Sequence, residues 1–423
     1  MLTLSDGRHL IDASGGAAVA CLGHGNRRVA AAIGEQARRL GYAHSGFFTS
    51  EPAEELADLL LRGEPAGLSH AFFVSSGSEA MESALKLARQ YFLERGEPNR
   101  TRFIARRQSY HGNSLGALSA GGNLARRLPY EAIMADRFSL VSPCFAFHFQ
   151  RPGETDQQYV ARLIQELDAE FQRVGPDTVA AFCAEPVVGA TCGCVAALPG
   201  YFRAVREICD RYGALLILDE VMCGTGRTGT MHAWEHEGIG PDIQAIGKGL
   251  GGGYQAVAGI LISRRIVEAL AAGSGAFVHG HTYQAHPVAC AAALEVQRII
   301  LEDDLLANVR KQGLLLEALL RERFGAHPNI GDIRGRGLFF AIEFLENRES
   351  KRPFAPSLKV HERIKEHALR VGMAIYPTGG TIDGRVGDHA LIAPPYISQP
   401  QDIEMIVDRL DRAVGAMFRE LTA

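Results

Sequence analysis

The chain has 423 residues, of which 47% are hydrophobic, enough apolar material to bury the core of a protein with two or three domains. Charged residues make up 22%, the formal net charge is −4, and no basic run occurs, which argues against nucleic-acid or membrane partners and favours small molecules. Because the first residues do not resemble a signal peptide and no apolar stretch reaches about 18 residues, we expect a soluble, cytoplasmic protein.

The N-terminal region is predicted to begin with a hairpin and to continue with two helices. Apolar residues in 2–4 and 10–11 flank the turn dipeptide Asp6-Gly7. Apolar residues then recur at helical spacing over 27–40 and 51–63. We assign residues 1–50 to the N-terminal part of a small domain.

From residue 69 onwards short apolar runs alternate with helical patterns, which predicts a mainly parallel sheet with crossover helices. The runs cover residues 70–75, 101–106, 178–185, 214–221, 242–247 and 256–263. A long helical pattern over 286–324 then leads into a mixture of strands and helices. We therefore predict an α/β protein with a large domain over 51–305 and a smaller α+β domain over 306–423.

The eight cysteines are scattered along the chain, which predicts reduced thiols rather than a disulfide scaffold. Cys192 and Cys194 are separated by a single residue, closer than the usual spacing of a zinc site, and no second pair accompanies them. We predict no metal site.

Polar and charged residues follow five of the predicted strands. In an open α/β sheet ligands bind at the carboxyl ends of the strands, so these residues are expected to meet in one site. In chain order they are Ser75 to Glu79, Tyr110 with His111, Glu185, Asp219 with Glu220, and Lys248.

The segment Ser75 to Glu79 opens a predicted helix, where free backbone N–H groups and the helix dipole suit a phosphate. Ser76 and Glu79 also match the S-x-x-E capping box that starts many helices. The two interpretations are compatible, because a cap and a phosphate can share the donors of one helical turn.

Lys248 lies between two glycines after an apolar strand, where desolvation would lower its pKa and make it a nucleophile towards a carbonyl. Taken alone, a lysine in a surface loop is the simpler interpretation. Asp219 changes the balance, because a carboxylate in an apolar run needs a cationic partner, and a protonated pyridine nitrogen is one such partner.

Residues 224–229 match the G-x-G-x-x-G pattern of dinucleotide-binding proteins. The segment that follows is too short and too rich in glycine for the crossover helix of that unit, and no acidic residue ends a second strand at the expected distance. A nicotinamide-dependent oxidoreductase is therefore the weaker alternative, from a different class.

Six motifs in a consistent order resemble class III (omega) aminotransferases, which are fold-type I pyridoxal-phosphate enzymes of the aspartate-aminotransferase-like fold. They are SSGSEAMESALKLAR, SYHGNSLGALSA, LLILDEVMCGTGRTG, GKGLGGGY, GHTYQAHPVACAAALE and APPY. The resemblance extends over nearly the whole chain. It implies a seven-stranded, mainly parallel sheet in the large domain and a small domain built from both ends of the chain.

The resemblance implies pyridoxal 5'-phosphate as cofactor and transfer of an amino group from an ω-amino compound or amine to a keto acid. The acceptor would be pyruvate or 2-oxoglutarate, in two half-reactions of a ping-pong mechanism. A decarboxylase, aminomutase, racemase or lyase of the same family would keep the same cofactor residues, so these alternatives stay open.

The resemblance also assigns roles to residues of the site. Lys248 would form the Schiff base with the cofactor and move the proton during catalysis, and Asp219 would keep the pyridine nitrogen protonated. Other contacts are expected with the phosphate from Ser76, Gly77 and Ser78, and with the two ring faces from Tyr110 and Val221. His111 and Glu185 would lie beside the cofactor or serve as structural hydrogen-bonding residues. Thr282 would reach the phosphate of a neighbouring subunit, which implies a homodimer with shared sites that could assemble further into a tetramer.

The chain departs from the family pattern where substrate is expected to bind. Many relatives that accept ω-amino acids carry a carboxylate-binding arginine where this sequence has Tyr376. Arg385 in the adjacent loop is a candidate replacement, with a solvated loop charge as the alternative. The predicted hairpin opens the chain, where many relatives first have a helical segment, so other residues must line that part of the pocket. Phe47 and Phe48 are candidates, unless they belong to the core.

Overall fold

The computed structural model describes residues 1–422, and its central element is a seven-stranded sheet in the middle of the chain. The strands are β1 Leu2–Thr3, β2 His9–Asp12, β3 Leu68–Val74, β4 Arg102–Arg106, β5 Phe138–Val141, β6 Val179–Ala184, β7 Val187–Val188, β8 Val195–Ala196, β9 Leu215–Asp219, β10 Ile243–Ile246, β11 Ala258–Ser263, β12 Ile330–Gly335, β13 Phe340–Phe344, β14 Met373–Ala374, β15 Tyr376–Gly379 and β16 Asp388–Ile392.

The helices are α1 Gly15–Ala18, α2 Arg27–Arg39, α3 Glu51–Leu60, α4 Gly77–Glu94, α5 Leu115–Ala120, α6 Leu124–Arg127, α7 Ala146–Phe149, α8 Asp156–Val174, α9 Tyr201–Tyr212, α10 Arg264–Ala272, α11 Pro287–Glu302, α12 Leu305–Phe324, α13 Val360–Arg370 and α14 Pro400–Thr422. Short 3₁₀ segments occur at Pro65–Gly67, Leu128–Ile133, Pro176–Thr178, Ala233–Glu237, Lys248–Leu250 and Pro356–Leu358. Among the helices of the described chain, none combines the length and the apolar character needed to cross a membrane.

The large sheet has the strand order β3-β11-β10-β9-β6-β4-β5, and β11 is antiparallel to both of its neighbours while the other strands run parallel. Both faces of the sheet are covered. In β9, Leu216 and Leu218 pack into one apolar cluster with α8 and α9, while Leu215 and Ile217 pack into another with α4 and α10. This alternation explains why the central strands are continuous hydrophobic runs. The predicted α/β fold with a mainly parallel sheet is confirmed.

The six strands predicted for the large sheet are all present, and β5 is an additional edge strand that the sequence pattern did not indicate. The predicted long helix over 286–324 is instead two helices, α11 and α12. Asp304 interrupts the helical path with a left-handed backbone (φ +47°). Periodicity alone missed this break, because the apolar spacing continues on both sides of it.

The two ends of the chain pack together. The β1–β2 hairpin forms as predicted, with Leu2 opposite Leu10, and β2 pairs with β14 from the C-terminal region. Ile11 of β2 belongs to an apolar cluster that also contains Val29 of α2 and buried residues of α12 and α14. A four-stranded sheet, β12-β13-β16-β15, completes this region.

Candidate active site

A cleft of about 290 Å³ opens at the carboxyl ends of the parallel strands, at the edge where the sequence predicted a site. The turns after β3, β4, β6, β9 and β10 all contribute to it. Among the predicted site residues, those that line the cleft are Ser76, Gly77, Ser78, Tyr110, His111, Glu185, Asp219, Val221 and Lys248.

The N-terminus of α4 forms one end of the cleft. Ser76 caps this helix, because its Oγ accepts a hydrogen bond from Glu79 N at 3.2 Å. Glu79 Oε2 accepts from Ser75 N at 2.7 Å, one residue before the cap. The first helical N–H groups, those of Gly77 and Ser78, have no carbonyl partner within the helix, so they are free to bind an anion. The structure therefore combines the cap with an available phosphate-binding turn.

Gly77 lies directly against Val221, which follows β9. A Cβ atom added to Gly77 would stand 2.9 Å from Val221 Cγ1, and one added to Gly247 would stand 3.2 Å from the same atom. Glycine at these positions therefore lets the helix terminus, the Val221 turn and the lysine turn converge on the cleft.

Asp219 is a buried carboxylate at the base of the cleft, with only 4% of its surface exposed. Its Oδ1 accepts from Val221 N at 3.0 Å, and its Oδ2 lies 2.8 Å from His111 Nδ1. An ionised carboxylate only accepts hydrogen bonds, so Nδ1 of His111 carries the proton in this contact. His111 Nε2 is buried without a hydrogen-bond partner among the described residues, although its ring lines the cleft.

Glu185 holds the loop of the cleft that carries Tyr110. Its Oε1 accepts from Tyr110 N at 3.0 Å and its Oε2 accepts from Gly189 N at 3.0 Å. Burial raises the pKa of Glu185, while His111 opposes that change. Both carboxylate oxygens are thus used by backbone N–H groups, which gives Glu185 a structural part in shaping the cleft.

Lys248 begins a 3₁₀ turn and adopts the left-handed backbone conformation (φ +44°), which is uncommon for a residue with a side chain. Its side chain is half-buried and lines the cleft. Desolvation lowers the pKa of Lys248, against the opposing influence of Asp219 and Glu185. A larger fraction of its amine is therefore neutral near pH 7 than for a lysine in water, which favours attack on a carbonyl.

Glu220, adjacent to Asp219, has a different task. Its carboxylate accepts hydrogen bonds from Ala233 N and Trp234 N, both at 2.7 Å, and from Gln244 Nε2 at 2.9 Å. Burial raises its pKa to about 8. Glu220 therefore holds the segment around Ala233 and Trp234 and does not face the cleft. Neighbouring residues of an extended segment point to opposite sides, so Asp219 faces the cleft and Glu220 faces away from it.

Five residues predicted to contact the cofactor or the substrate do not line the cleft of this chain: Thr282, Phe47, Phe48, Tyr376 and Arg385. Thr282 and Arg385 are exposed, and Tyr376 is half-buried on β15. The alternative assignment of Phe47 and Phe48 to the core is wrong, because their side chains are 81% and 66% exposed. They lie on the connection between α2 and α3, where no helix of the described chain covers them.

Sequence reasoning missed several wall residues. Val19, from the N-terminal region, and Ala190, Met222 and Gln255, from loops that follow β7, β9 and β10, all line the cleft. Small and apolar residues in loops carry no local signal, so only the packing of the two regions brings them to the site.

The cleft fits pyridoxal 5'-phosphate. The free N–H groups of Gly77 and Ser78 match its phosphate, and the buried Asp219 matches a protonated ring nitrogen. Lys248 supplies an amine for its aldehyde. These features define a pyridoxal-phosphate enzyme by the chemistry of its site.

Comparison with known proteins agrees with this assignment. The profile of the family described as aminotransferase class III matches residues 1–414. An uncharacterised aminotransferase of Schizosaccharomyces pombe is 49% identical over 420 residues, covering 99% of this chain and 92% of the relative. Diaminobutyrate–2-oxoglutarate transaminase of Halomonas elongata is 34% identical, covering 99% of this chain and 88% of that enzyme.

Solved structures also superpose closely. The omega transaminase of Pseudomonas jessenii in complex with pyridoxamine phosphate (PMP) has a TM-score of 0.93 at 33% identity, with 98% of this chain and 90% of that chain covered. An (S)-enantioselective omega-transaminase of Thermomicrobium roseum has a TM-score of 0.92 at 35% identity, with the same coverage. The protein belongs to the class III aminotransferase family. Its cofactor is pyridoxal 5'-phosphate, and its reaction partners are an amino donor and a keto-acid acceptor.

Proposed function

We propose that this enzyme transfers an amino group from an ω-amino compound or a simple amine to pyruvate or 2-oxoglutarate by a ping-pong mechanism. The observation that carries the proposal is the meeting of Lys248, Asp219 and the free N-terminus of α4 in one cleft. Similarity to omega transaminases supports the donor class, and the Halomonas elongata relative supports 2-oxoglutarate as an acceptor.

Pyridoxal 5'-phosphate, when bound, supplies an aldehyde that condenses with amines and a ring that accepts the electron pair released at the substrate Cα. In the proposed arrangement, Lys248 Nζ would hold the cofactor through its aldehyde and would move the proton to and from the substrate Cα. The carboxylate of Asp219, oriented by His111, would keep the ring nitrogen protonated. The N–H groups of Gly77 and Ser78 would bind the phosphate, and Tyr110 and Val221 would contact the ring.

We also propose a homodimer in which Thr282 serves the neighbouring subunit's site. Thr282 is exposed and lies outside its own cleft. Val278 and Tyr283, close to Thr282 in the sequence, are 74% and 60% exposed. The Tyr283 ring packs edge-on against that of Tyr42, with 6.0 Å between the ring centroids. An exposed apolar surface of this kind is typical of a protein interface.

Two experiments test the proposal. The purified holoenzyme is mixed with a panel of amines and ω-amino acids without keto acid, and the visible absorption band of the cofactor is followed. Loss of the band that pyruvate or 2-oxoglutarate restores is the expected result. Irreversible bleaching, or release of carbon dioxide or ammonia, would favour the decarboxylase or lyase alternative.

The second experiment tests the attachment residue. Borohydride reduction followed by peptide mass spectrometry is expected to find the cofactor on Lys248, and Lys248→Ala is expected to bind it without covalent attachment. Attachment to another lysine would contradict the assigned role of Lys248.

A further inference from the structure

The charged groups that line the cleft all have a role in the proposed site, and none of them is available for a substrate carboxylate. Lys248 is the only Lys or Arg among the described residues that line it, and the proposed mechanism uses its amine. Asp219 and Glu185 carry negative charge when ionised and would repel an acid. A keto acid that enters a partly dry cleft needs a cationic partner. Within one subunit, that cation must come from the rim.

Arg126, on the short helix α6, is at this rim. Its guanidinium carbon lies 5.0 Å from the centre of the Tyr110 ring, and Tyr110 lines the cleft. The Arg126 side chain is exposed and makes no hydrogen bond or ion pair with any residue of the described chain. Its neighbour differs, because Arg127 donates to the carbonyl oxygens of Ser119 (2.8 Å) and Leu118 (3.2 Å).

The contact with Tyr110 leaves the binding groups of Arg126 free. A guanidinium can lie against an aromatic ring while its N–H groups still form the fork that matches a carboxylate. Ring contact also limits the conformations of a long side chain, which lowers the entropy lost on binding. Arg126 is thus a partly ordered cation with unused donors beside the cleft.

A second arginine approaches the same rim from the C-terminal region. Gln108 Nε2 donates to Gly380 O (2.8 Å) and Thr381 O (3.0 Å), which ties the loop after β15 to the segment that carries Tyr110. Gly384 of this loop packs against Leu124 of α6, since a Cβ added to it would stand 2.9 Å from Leu124 Cβ. Arg385, the next residue, is exposed, and among the described residues no aromatic ring contacts its guanidinium.

We propose that Arg126 binds the carboxylate of the keto-acid acceptor and so determines specificity for acids in that half-reaction. The proposal rests on the transaminase function given above. Arg126 makes no covalent contribution, so its loss affects binding of carboxylated molecules and leaves the reaction of a simple amine unchanged.

The test uses the holoenzyme in two separate half-reactions measured by stopped-flow absorbance. One is amine transfer from 1-phenylethylamine, which has no carboxylate, and the other is reoxidation of the aminated form by 2-oxoglutarate or pyruvate. For Arg126→Gln we expect the half-saturating keto-acid concentration to rise roughly 10- to 100-fold, the effect of losing a charged hydrogen-bonded pair. The amine half-reaction is expected to change less than about twofold. Arg126→Lys keeps the charge but loses the forked pair of N–H donors. Its half-saturating keto-acid concentration is expected to lie between those of the wild type and Arg126→Gln.

Controls separate this proposal from its alternatives. Arg62→Gln removes another exposed arginine that lies outside the cleft and has no ion pair within residues 1–422, and it should change neither half-reaction. Equal losses in both half-reactions of Arg126→Gln, or a changed cofactor absorption spectrum, would mean that Arg126 only positions Tyr110, and would overturn the proposal. Loss of keto-acid binding in Arg385→Gln with none in Arg126→Gln would overturn it as well.

Calorimetric titration of the holoenzyme with succinate, a dicarboxylate that cannot react, gives a readout without turnover. Binding that weakens roughly tenfold or more in Arg126→Gln supports the proposal, and unchanged binding overturns it. If the wild-type enzyme performs neither half-reaction, the proposed function fails, whereas the succinate titration still decides the role of Arg126.

Discussion

The contact between Gly77 and Val221 provides a sharp test of the phosphate-binding turn. In Gly77→Ala the new Cβ would stand 2.9 Å from Val221 Cγ1, whereas ordinary contact begins at 3.4 Å. The helix terminus or the valine must therefore move by about 0.5 Å, the difference between these two distances. Since Gly77 supplies one of the free N–H groups, movement of the helix terminus would take that group away from a bound phosphate.

The expected effect follows from the strength of such a bond. A hydrogen bond to a charged group contributes about 1.5–3 kcal/mol, so its loss should weaken cofactor binding roughly 10- to 150-fold. Val221→Ala removes the colliding methyl group and leaves Val221 Cβ at 3.7 Å, within ordinary contact. The double variant should therefore bind the cofactor more tightly than the sum of the two single losses predicts.

The measurement is the dissociation constant of pyridoxal 5'-phosphate, obtained by titrating apoenzyme and following fluorescence. Gly34→Ala is the matched control, because Gly34 lies within α2 and an added Cβ there meets only Arg38 Nη1 at 3.8 Å. Normal cofactor affinity in Gly77→Ala would refute the expected displacement of the helix terminus from the phosphate. Additive losses in the double variant would show that the collision with Val221 is not the cause.

Three further predictions concern charge, pH and assembly. Asp219→Asn preserves the side-chain shape but removes the charge, so kcat is expected to fall roughly 100-fold or more in steady-state assays while the cofactor stays bound. Burial lowers the pKa of His389 from 6.5 to about 3, so just below pH 6.5 this histidine binds a proton in the unfolded chain but stays neutral in the folded protein. The free energy of unfolding should therefore fall by up to about 1.4 kcal/mol per pH unit on acidification below that pH, and urea titrations should show a weaker dependence in His389→Gln. Replacing both Phe47 and Phe48 by serine is expected to weaken the proposed dimer, which sedimentation equilibrium would measure.

Each of these predictions has a result that would contradict it. Normal kcat in Asp219→Asn would contradict the catalytic role assigned to the Asp219 charge. An identical pH dependence in wild type and His389→Gln would mean that this histidine does not contribute to acid lability. An unchanged association constant for the serine variant would place the interface away from these phenylalanines.

The centre of the proposed site was predictable because its residues lie at or shortly after the ends of strands with a clear apolar pattern. Lys248 and Asp219 lie at the ends of such strands, and parallel strands bring their carboxyl ends to one edge. The S-x-x-E pattern at Ser76 likewise predicted the start of α4. Such local signals are independent of how distant segments pack.

Other features depend on contacts between distant segments. The exposure of Phe47 and Phe48 contradicts the assignment to the core, because hydrophobicity does not reveal whether another element covers a side chain. The tasks of Asp219 and Glu220 diverge only through their surroundings, since one faces the cleft and the other binds Ala233 and Trp234.

The sequence by itself determined the alternation of strands and helices, the edge of the sheet where the cleft lies, and the positions of its proposed nucleophile and its buried acid, because these follow from local periodicity and chain order. Only the tertiary structure decided which loops wall the cleft. It brought Val19 from the N-terminal region into the wall and laid Arg126 on the Tyr110 ring. The reason is physical. A helix or strand that buries one face leaves a periodic pattern of apolar residues in the sequence, whereas packing between remote loops leaves none.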